Sequence, residues 1–220
     1  MDRNQLAQTA RRIRQQWDAK DMAREKALTL SREVIRNCAD TIRGIHREEY
    51  DEAVVALAET AKLIAQIADD LRLHPELYFT GFVQDAHKEY AEAHCTLALI
   101  RGEPLPIPED LKVEYSPYLR GLGEAVGELR RHILDRMRIE EPRWGENMLA
   151  IMDDIYYLMV SFDYPEAISG GLKRATDQTR SIIERTRGDL TNALRQQHLE
   201  DAMARLEQKI AQVEDLAPRS

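Results

Sequence analysis

Apolar residues recur every three or four positions almost from end to end of the chain, which is the period of an α-helix. A short polar helix is expected over about 3–19, then one over about 21–47 that aligns Leu30, Val34, Ile35, Cys38, Ile42 and Ile45. A third, about 48–72, carries Val54, Leu57, Ala61, Ile64, Ala68 and Leu71 before His74-Pro75 breaks the pattern. A fourth, about 76–101, carries Phe79, Phe82, Val83, Ala86, Tyr90, Ala93 and Leu97. The proline-rich run GEPLPIPEDLKVEYSP, Gly102 to Pro117, reads as a loop between two halves of a bundle. A fifth helix, about 118–140, follows with Leu122, Val126, Leu129, Ile133 and Met137. Pro142 suits the first turn of a sixth, which includes MLAIMDDIYYLMVSF and runs to about Ser161. The last spans about 166–214, with Gly170-Gly171 and Gly188 as candidate breaks. The fold expected is an all-α bundle of about seven helices in one domain spanning 1–220.

Composition changes this picture little. With 10 Gly and 8 Pro in 220 residues there are few sheet turns to place. A net charge of −8 argues against a protein that coats DNA with a wholly basic surface, and leaves room for a local basic one. Cys38 and Cys95 both lie among apolar neighbours and read as buried thiols of a reducing cytoplasm. The N-terminal segment has no apolar signal region, and no apolar run reaches the roughly 18 residues that would span a membrane. The expected location is therefore cytoplasmic.

Candidate chemistry sits on two helices. In GFVQDAHKEYAEAH, Glu89 and Glu92 fall within about 40° of Asp85 on a helical wheel, beside the apolar stripe. In GLGEAVGELRR, Glu124 and Glu128 share a face with Arg120, Arg131 and Asp135. On spacing alone, a solvated acidic face and a ladder of surface ion pairs have the better claim. Brought together, the two rows would instead offer oxygen ligands suited to Mg²⁺, Mn²⁺ or Ca²⁺. Gly123 and Gly127 suggest a close helix approach that would bring them together, and Lys88 is placed to pair with Glu92 one turn on. His87 and His94 lie on the other side of the helix and read as packing or exposed residues. No Glu-x-x-His occurs, which argues against a di-iron bundle.

The second helix has an arginine row. Arg32, Arg36, Arg43 and Arg47 lie within about 60° of each other. They fit a solvated or ion-paired face, and equally a stripe that tracks phosphates. Acidic metal ligands with such a stripe would suit a phosphodiester, the metal positioning an attacking water and stabilising the leaving oxygen. Tyr156-Tyr157 reads as core or subunit interface.

Several segments together resemble the translin superfamily, which comprises translin and translin-associated factor X. They are REKALTLSREVIRNCADTIRGIHR, FTGFVQDAHKEYAEA, YLRGLGEAVGELRR and MDDIYYLMVSFDYPEAISGGLKRATDQTRSIIERTRGDLT, covering about 20 to 191. The resemblance implies a seven-helix bundle assembled into a hollow homo-octamer that binds single-stranded RNA and single-stranded DNA. The factor X branch is the closer one, and it implies a Mg²⁺- or Mn²⁺-dependent endoribonuclease; the translin branch implies a non-catalytic binder. The Glu-Tyr-x-Glu-Ala string of factor X is matched by Glu89 and Glu92. Its Asp-x-x-Gly-Glu-Leu string is matched by Glu124-Ala-Val-Gly-Glu128-Leu, with Glu in place of Asp at 124. By resemblance Glu89, Glu92 and Glu124 would hold the metal, and Glu128 would complete the site or orient a water. The longer Glu124 would shift the metal's position. The basic stretch that precedes the fourth helix of translin has no counterpart in Leu73–Tyr78.

Overall fold

The computed structural model describes residues 3–138 and 144–216. These residues form helices and turns, with no strand among them. The helices run α1 (Arg3–His46), α2 (Tyr50–Asp70), α3 (Pro75–Tyr78), α4 (Gly81–Arg101), α5 (Pro108–Leu111), α6 (Tyr115–Arg136), α7 (Trp144–Val160), α8 (Glu166–Ser169) and α9 (Leu172–Leu216). No described helix is long and apolar enough to cross a membrane.

Among the described residues the helices number nine, not about seven. The two helices expected before residue 47 are one, α1, because neither Gly nor Pro occurs between Arg3 and Arg43 to interrupt it. Three of the nine helices are single turns of four residues. Of these, α3 and α5 each begin with a proline, which is pre-set for a first turn. Gly102, at φ 67°, caps α4 in the left-handed region that glycine occupies freely. Gly170 and Gly171, at φ 52° and 89°, separate α8 from α9, whereas Gly188 does not break α9. Pro142 lies outside the described residues.

Two three-helix layers meet along one seam. α1, α2 and α4 pack together, as do α6, α7 and α9, and the broad α4–α6 contact joins them. The buried stripes follow the helical period, with Val34, Cys38 and Ile45 on α1 and Leu122, Val126, Leu129 and Ile133 on α6. On α2 Leu57, Ile64 and Leu71 are buried as expected, whereas Val54 and Ala68 face outward and their neighbours Ala53 and Ile67 are buried in their place. Phe79 ends α3 and is exposed instead of joining the α4 stripe. Cys38 and Cys95 are buried free thiols, as their apolar surroundings implied. Tyr157 is exposed and Tyr156 half-buried.

Candidate metal centre

Gly121 explains how closely α4 and α6 approach. A Cβ on it would stand 2.4 Å from the Lys88 carbonyl oxygen and 2.9 Å from the Glu92 amide nitrogen, both backbone atoms. The glycines singled out from spacing do other things. Gly123 makes room for Met159 and Thr179 on α7 and α9, and Gly127 has only Ile182 nearby, at 3.8 Å. The close approach lays Glu124, one turn beyond Gly121, against α4 at Lys88, Glu89 and Glu92.

Glu89, Glu92 and Glu124 each offer a carboxylate oxygen within 4.8 Å of the other two. Glu92 is buried, with 7% of its surface exposed, Glu89 is half-buried, and Glu124 keeps 43% of its side chain exposed. Burial, then repulsion from Glu124, Glu89 and Glu128, pushes the Glu92 carboxyl up to about 9, and a hydrogen bond with Glu124 adds to this. Glu92 therefore holds a proton at neutral pH.

A lysine stands among these acids. Lys88 Nζ donates to both Glu124 oxygens, at 2.8 and 2.7 Å, and lies 3.1 Å from Glu89 Oε1. Burial opposes its charge, but the hydrogen bonds and attraction of Glu124 and Glu89 outweigh that and hold the ammonium above its ordinary pKa. The Lys88–Glu92 pair expected along α4 is thus replaced by a reach across to α6. Glu92, neutralised by its proton, offers an ammonium less than Glu124 does.

Glu128 lies within electrostatic reach of Glu92 but outside the three-carboxylate group. Its Oε2 is 2.5 Å from His46 Nε2 at the end of α1, and 3.9 Å from Arg131 Nη1. Asp85 faces Arg120 at 3.8 Å and belongs to the rim. His87 is wholly buried and His94 half-buried. Burial pulls both down to about 4, so they stay neutral, and neither joins the cluster. Cys38 neighbours Glu89 and Glu92, and burial, followed by the nearby acidic groups, raises its thiol far out of the thiolate range.

The residues fit a hard divalent cation. Three acids converge on one point, burial and the neighbouring carboxylates raise the pKa of one of them, and the nearby thiol is neutral. An oxygen-only donor set suits Mg²⁺ or Mn²⁺ better than Zn²⁺.

The arginine row is of another kind. Arg32, Arg36, Arg43 and Arg47 are all exposed. Arg43 is tied to Asp40, and Arg47 to Glu49 at 2.8 and 2.7 Å, while Arg32 and Arg36 have no carboxylate partner among the described residues. Sequence reasoning missed His46, for which it held no signal, and gave Lys88 the wrong partner, although its place beside Glu89 was visible.

Comparison with known proteins follows this geometry. The chain is 31% identical over 195 residues to an uncharacterised protein of Methanocaldococcus jannaschii, covering 88% of this chain and 86% of that one. It is similar to the structure of AfC3PO in complex with duplex RNA, at 31% identity and TM-score 0.77, covering 84% of this chain and 96% of that one. AfC3PO in a second crystal structure gives 32% identity and 0.76 over the same shares. The apo form of NeC3PO, 18% identical over 84% of this chain and 96% of its own, shares the fold at 0.75. AfC3PO and NeC3PO are translin/TRAX-type proteins. No protein-family model matches the chain.

Proposed function

Because the chain belongs to the translin superfamily, as a TRAX-like member, we propose that it is a metal-dependent endoribonuclease that cleaves single-stranded RNA. The observation that carries this reading is the convergence of Glu89, Glu92 and Glu124, whose carboxylate oxygens lie within 4.8 Å of one another. These three would hold Mg²⁺ or Mn²⁺, with Glu128 beside them. When bound, such an ion supplies charge neutralisation at the phosphate and at the leaving oxygen.

The chain's own residues have distinct tasks. Glu92 gives up its proton when the site is loaded, and Lys88 must release Glu124 and Glu89. His46 holds the Glu128 carboxylate in place through Nε2, so that Glu128 can accept a proton from a water attacking the phosphorus. Arg32 and Arg36 are available to the RNA backbone, with Arg43 and Arg47 joining once their acidic neighbours let go. Single-stranded DNA shares that backbone chemistry and is a second proposed ligand. AfC3PO has been solved with duplex RNA, which supports an RNA ligand here.

A homo-octameric shell is part of this proposal. A chain of net charge −8 that binds RNA must segregate its positive surface, and a shell provides an inside and an outside. An exposed apolar rim at Tyr115, Leu158, Phe162, Tyr164 and Ile168 is available for subunit contact.

One observation favours a second reading, a non-catalytic binder of single-stranded nucleic acid. The Lys88 ammonium already partly neutralises the acids. One experiment separates the two. Purified protein is incubated with a labelled single-stranded RNA and Mg²⁺ or Mn²⁺, alongside Glu89→Gln with Glu92→Gln. Cleavage that falls on the order of a hundredfold in the double variant supports the nuclease. Cleavage that survives the substitution sinks the site assignment, and binding without any cleavage selects the second reading.

A further inference from the structure

The ends of α1 and α9 project beyond the bundle, and their exposed faces match. Residues 4–19 of α1 are all exposed, and burial on that helix begins with the partly covered Lys20 and Ala23 and becomes complete at Ala27. Leu6, Ala10, Ile13 and Trp17 lie at spacings of four, three and four, with Leu6, Ile13 and Trp17 exposed by 49, 44 and 70%. The same register, with Lys20 and Arg24 between, leads into the buried α1 stripe of Ala27, Ser31, Val34 and Cys38. On α9, residues 198–210 are all exposed. Leu199, Met203, Leu206 and Ile210 repeat the same four-three-four spacing, with exposures of 61, 55, 58 and 51%. This second seam lies about 180° around the helix from Leu190, so it faces away from the chain's own core.

Within one chain the two arms leave from opposite ends. Lys20 pairs with Glu76 beside the start of α4, so the α1 arm emerges at the end where α4 begins. α4 and α6 run alongside in the same direction, with Asp85 facing Arg120 and Lys88 facing Glu124. α9 follows α6 in that direction, from Thr179 against Gly123 to Arg130 against Asp189. Its arm therefore leaves at the far end, past Leu190 where it packs on Gly145.

Charge selects the pairing. The α1 arm carries Arg11, Arg12 and Arg14 against Asp18, while Glu200, Asp201 and Glu207 outnumber Arg205 and Lys209 on the α9 arm. Two α1 arms would repel one another, and an α1 arm attracts an α9 arm. We infer that the α1 arm of one copy and the α9 arm of a second copy pair as a short parallel two-stranded coiled coil, with the two apolar seams as its core. The contact is head-to-tail, so it links copies in a ring or a row. Both arms fall outside the segments that resemble the family, and the pairing does not depend on nuclease activity.

Mixing two single-cysteine additions tests this. Full-length protein carrying Ile13→Cys is mixed under mild oxidation with protein carrying Leu199→Cys, Met203→Cys, Leu206→Cys or Ile210→Cys in turn. The native Cys38 and Cys95 are buried and serve as the background control. A mixed disulfide of two chain masses is expected with one or two neighbouring positions of the α9 series, since the bond requires Cα atoms within about 7 Å. Arg11→Glu with Arg12→Glu and Arg14→Glu should cut its yield roughly tenfold, with more salt acting in the same direction. Disulfides only between like arms, none at all, or a mixed disulfide that appears only when RNA is added each overturn the pairing. Both arms are solvent-exposed, so unchanged far-UV circular dichroism and melting of the bundle check that the variants remain folded.

Discussion

The acidic rows of α4 and α6 and the arginine row of α1 started from the same evidence, like charges at helical spacing, and the fold treats them oppositely. The acids are pressed together where two layers meet, and one of them is protonated as a result. The arginines stay on an open face, and two of the four are occupied by acids three or fewer residues away. Spacing places charges on a face. Whether that face becomes a site depends on what packs over it, because repulsion and desolvation grow steeply only when water is excluded.

The contrast rests first on Gly121. Gly121→Ala sets a methyl group against backbone of α4 and should destabilise the fold by about 3 kcal/mol, read by urea denaturation. Gly127→Ala meets only the tip of Ile182 at 3.8 Å and should stabilise by about 0.5–1 kcal/mol. Equal effects from the two would show that α4 and α6 do not meet at Gly121.

The protonated acid makes the next test. Glu92 holds a proton below about 9, and a divalent ion must displace it. Mn²⁺ affinity should therefore rise about tenfold per pH unit up to about 9 and level off above, with one proton released per ion in calorimetry. Stability without metal follows the same raised value. The folded chain binds more protons than the unfolded one between the ordinary carboxyl value of 4.5 and about 9, so stability falls as pH rises through that window. Glu92→Gln should flatten the slope, and a slope that persists would locate the proton elsewhere.

Lys88→Met asks whether the ammonium and the metal compete. Removing Lys88 should tighten Mn²⁺ binding about tenfold, because the ion no longer displaces a tethered cation. Weaker binding would make the lysine a support of the site instead of its competitor. The smallest effects belong to the arginine row. Arg32→Ala or Arg36→Ala should each weaken single-stranded oligonucleotide binding about threefold and lower its salt slope by about 0.7, with less change for Arg43→Ala. Equal losses at all four positions would erase the distinction between free and acid-paired arginines.

Much of the fold was legible in the sequence. Helical class, the placement of the long helices and the loop between two halves follow from apolar period and from Pro and Gly. Helix ends and stripes were less so. On α2 Ala53 and Ile67 are buried in place of Val54 and Ala68, because either member of each pair is acceptable to periodicity and only the partner helix chooses. On the seam, Glu89, Glu92 and Glu124 were legible by resemblance, as was the match of Glu128. His46 was not, since no local pattern connects the end of α1 with a carboxylate 82 residues on.

By itself, the sequence determined an all-helical fold class with acids on two helix faces and arginines on a third. Those are local properties, set by a 3.6-residue period and by the residues that interrupt it. Tertiary structure alone decided that Gly121 closes the acidic faces on each other, that Lys88 crosses to Glu124, and that the arginines remain in water. It decided too that the two arms leave from opposite ends. Each of these turns on distances between residues far apart in the chain, where a carboxylate's proton or a lysine's partner is fixed by burial and nearby charge.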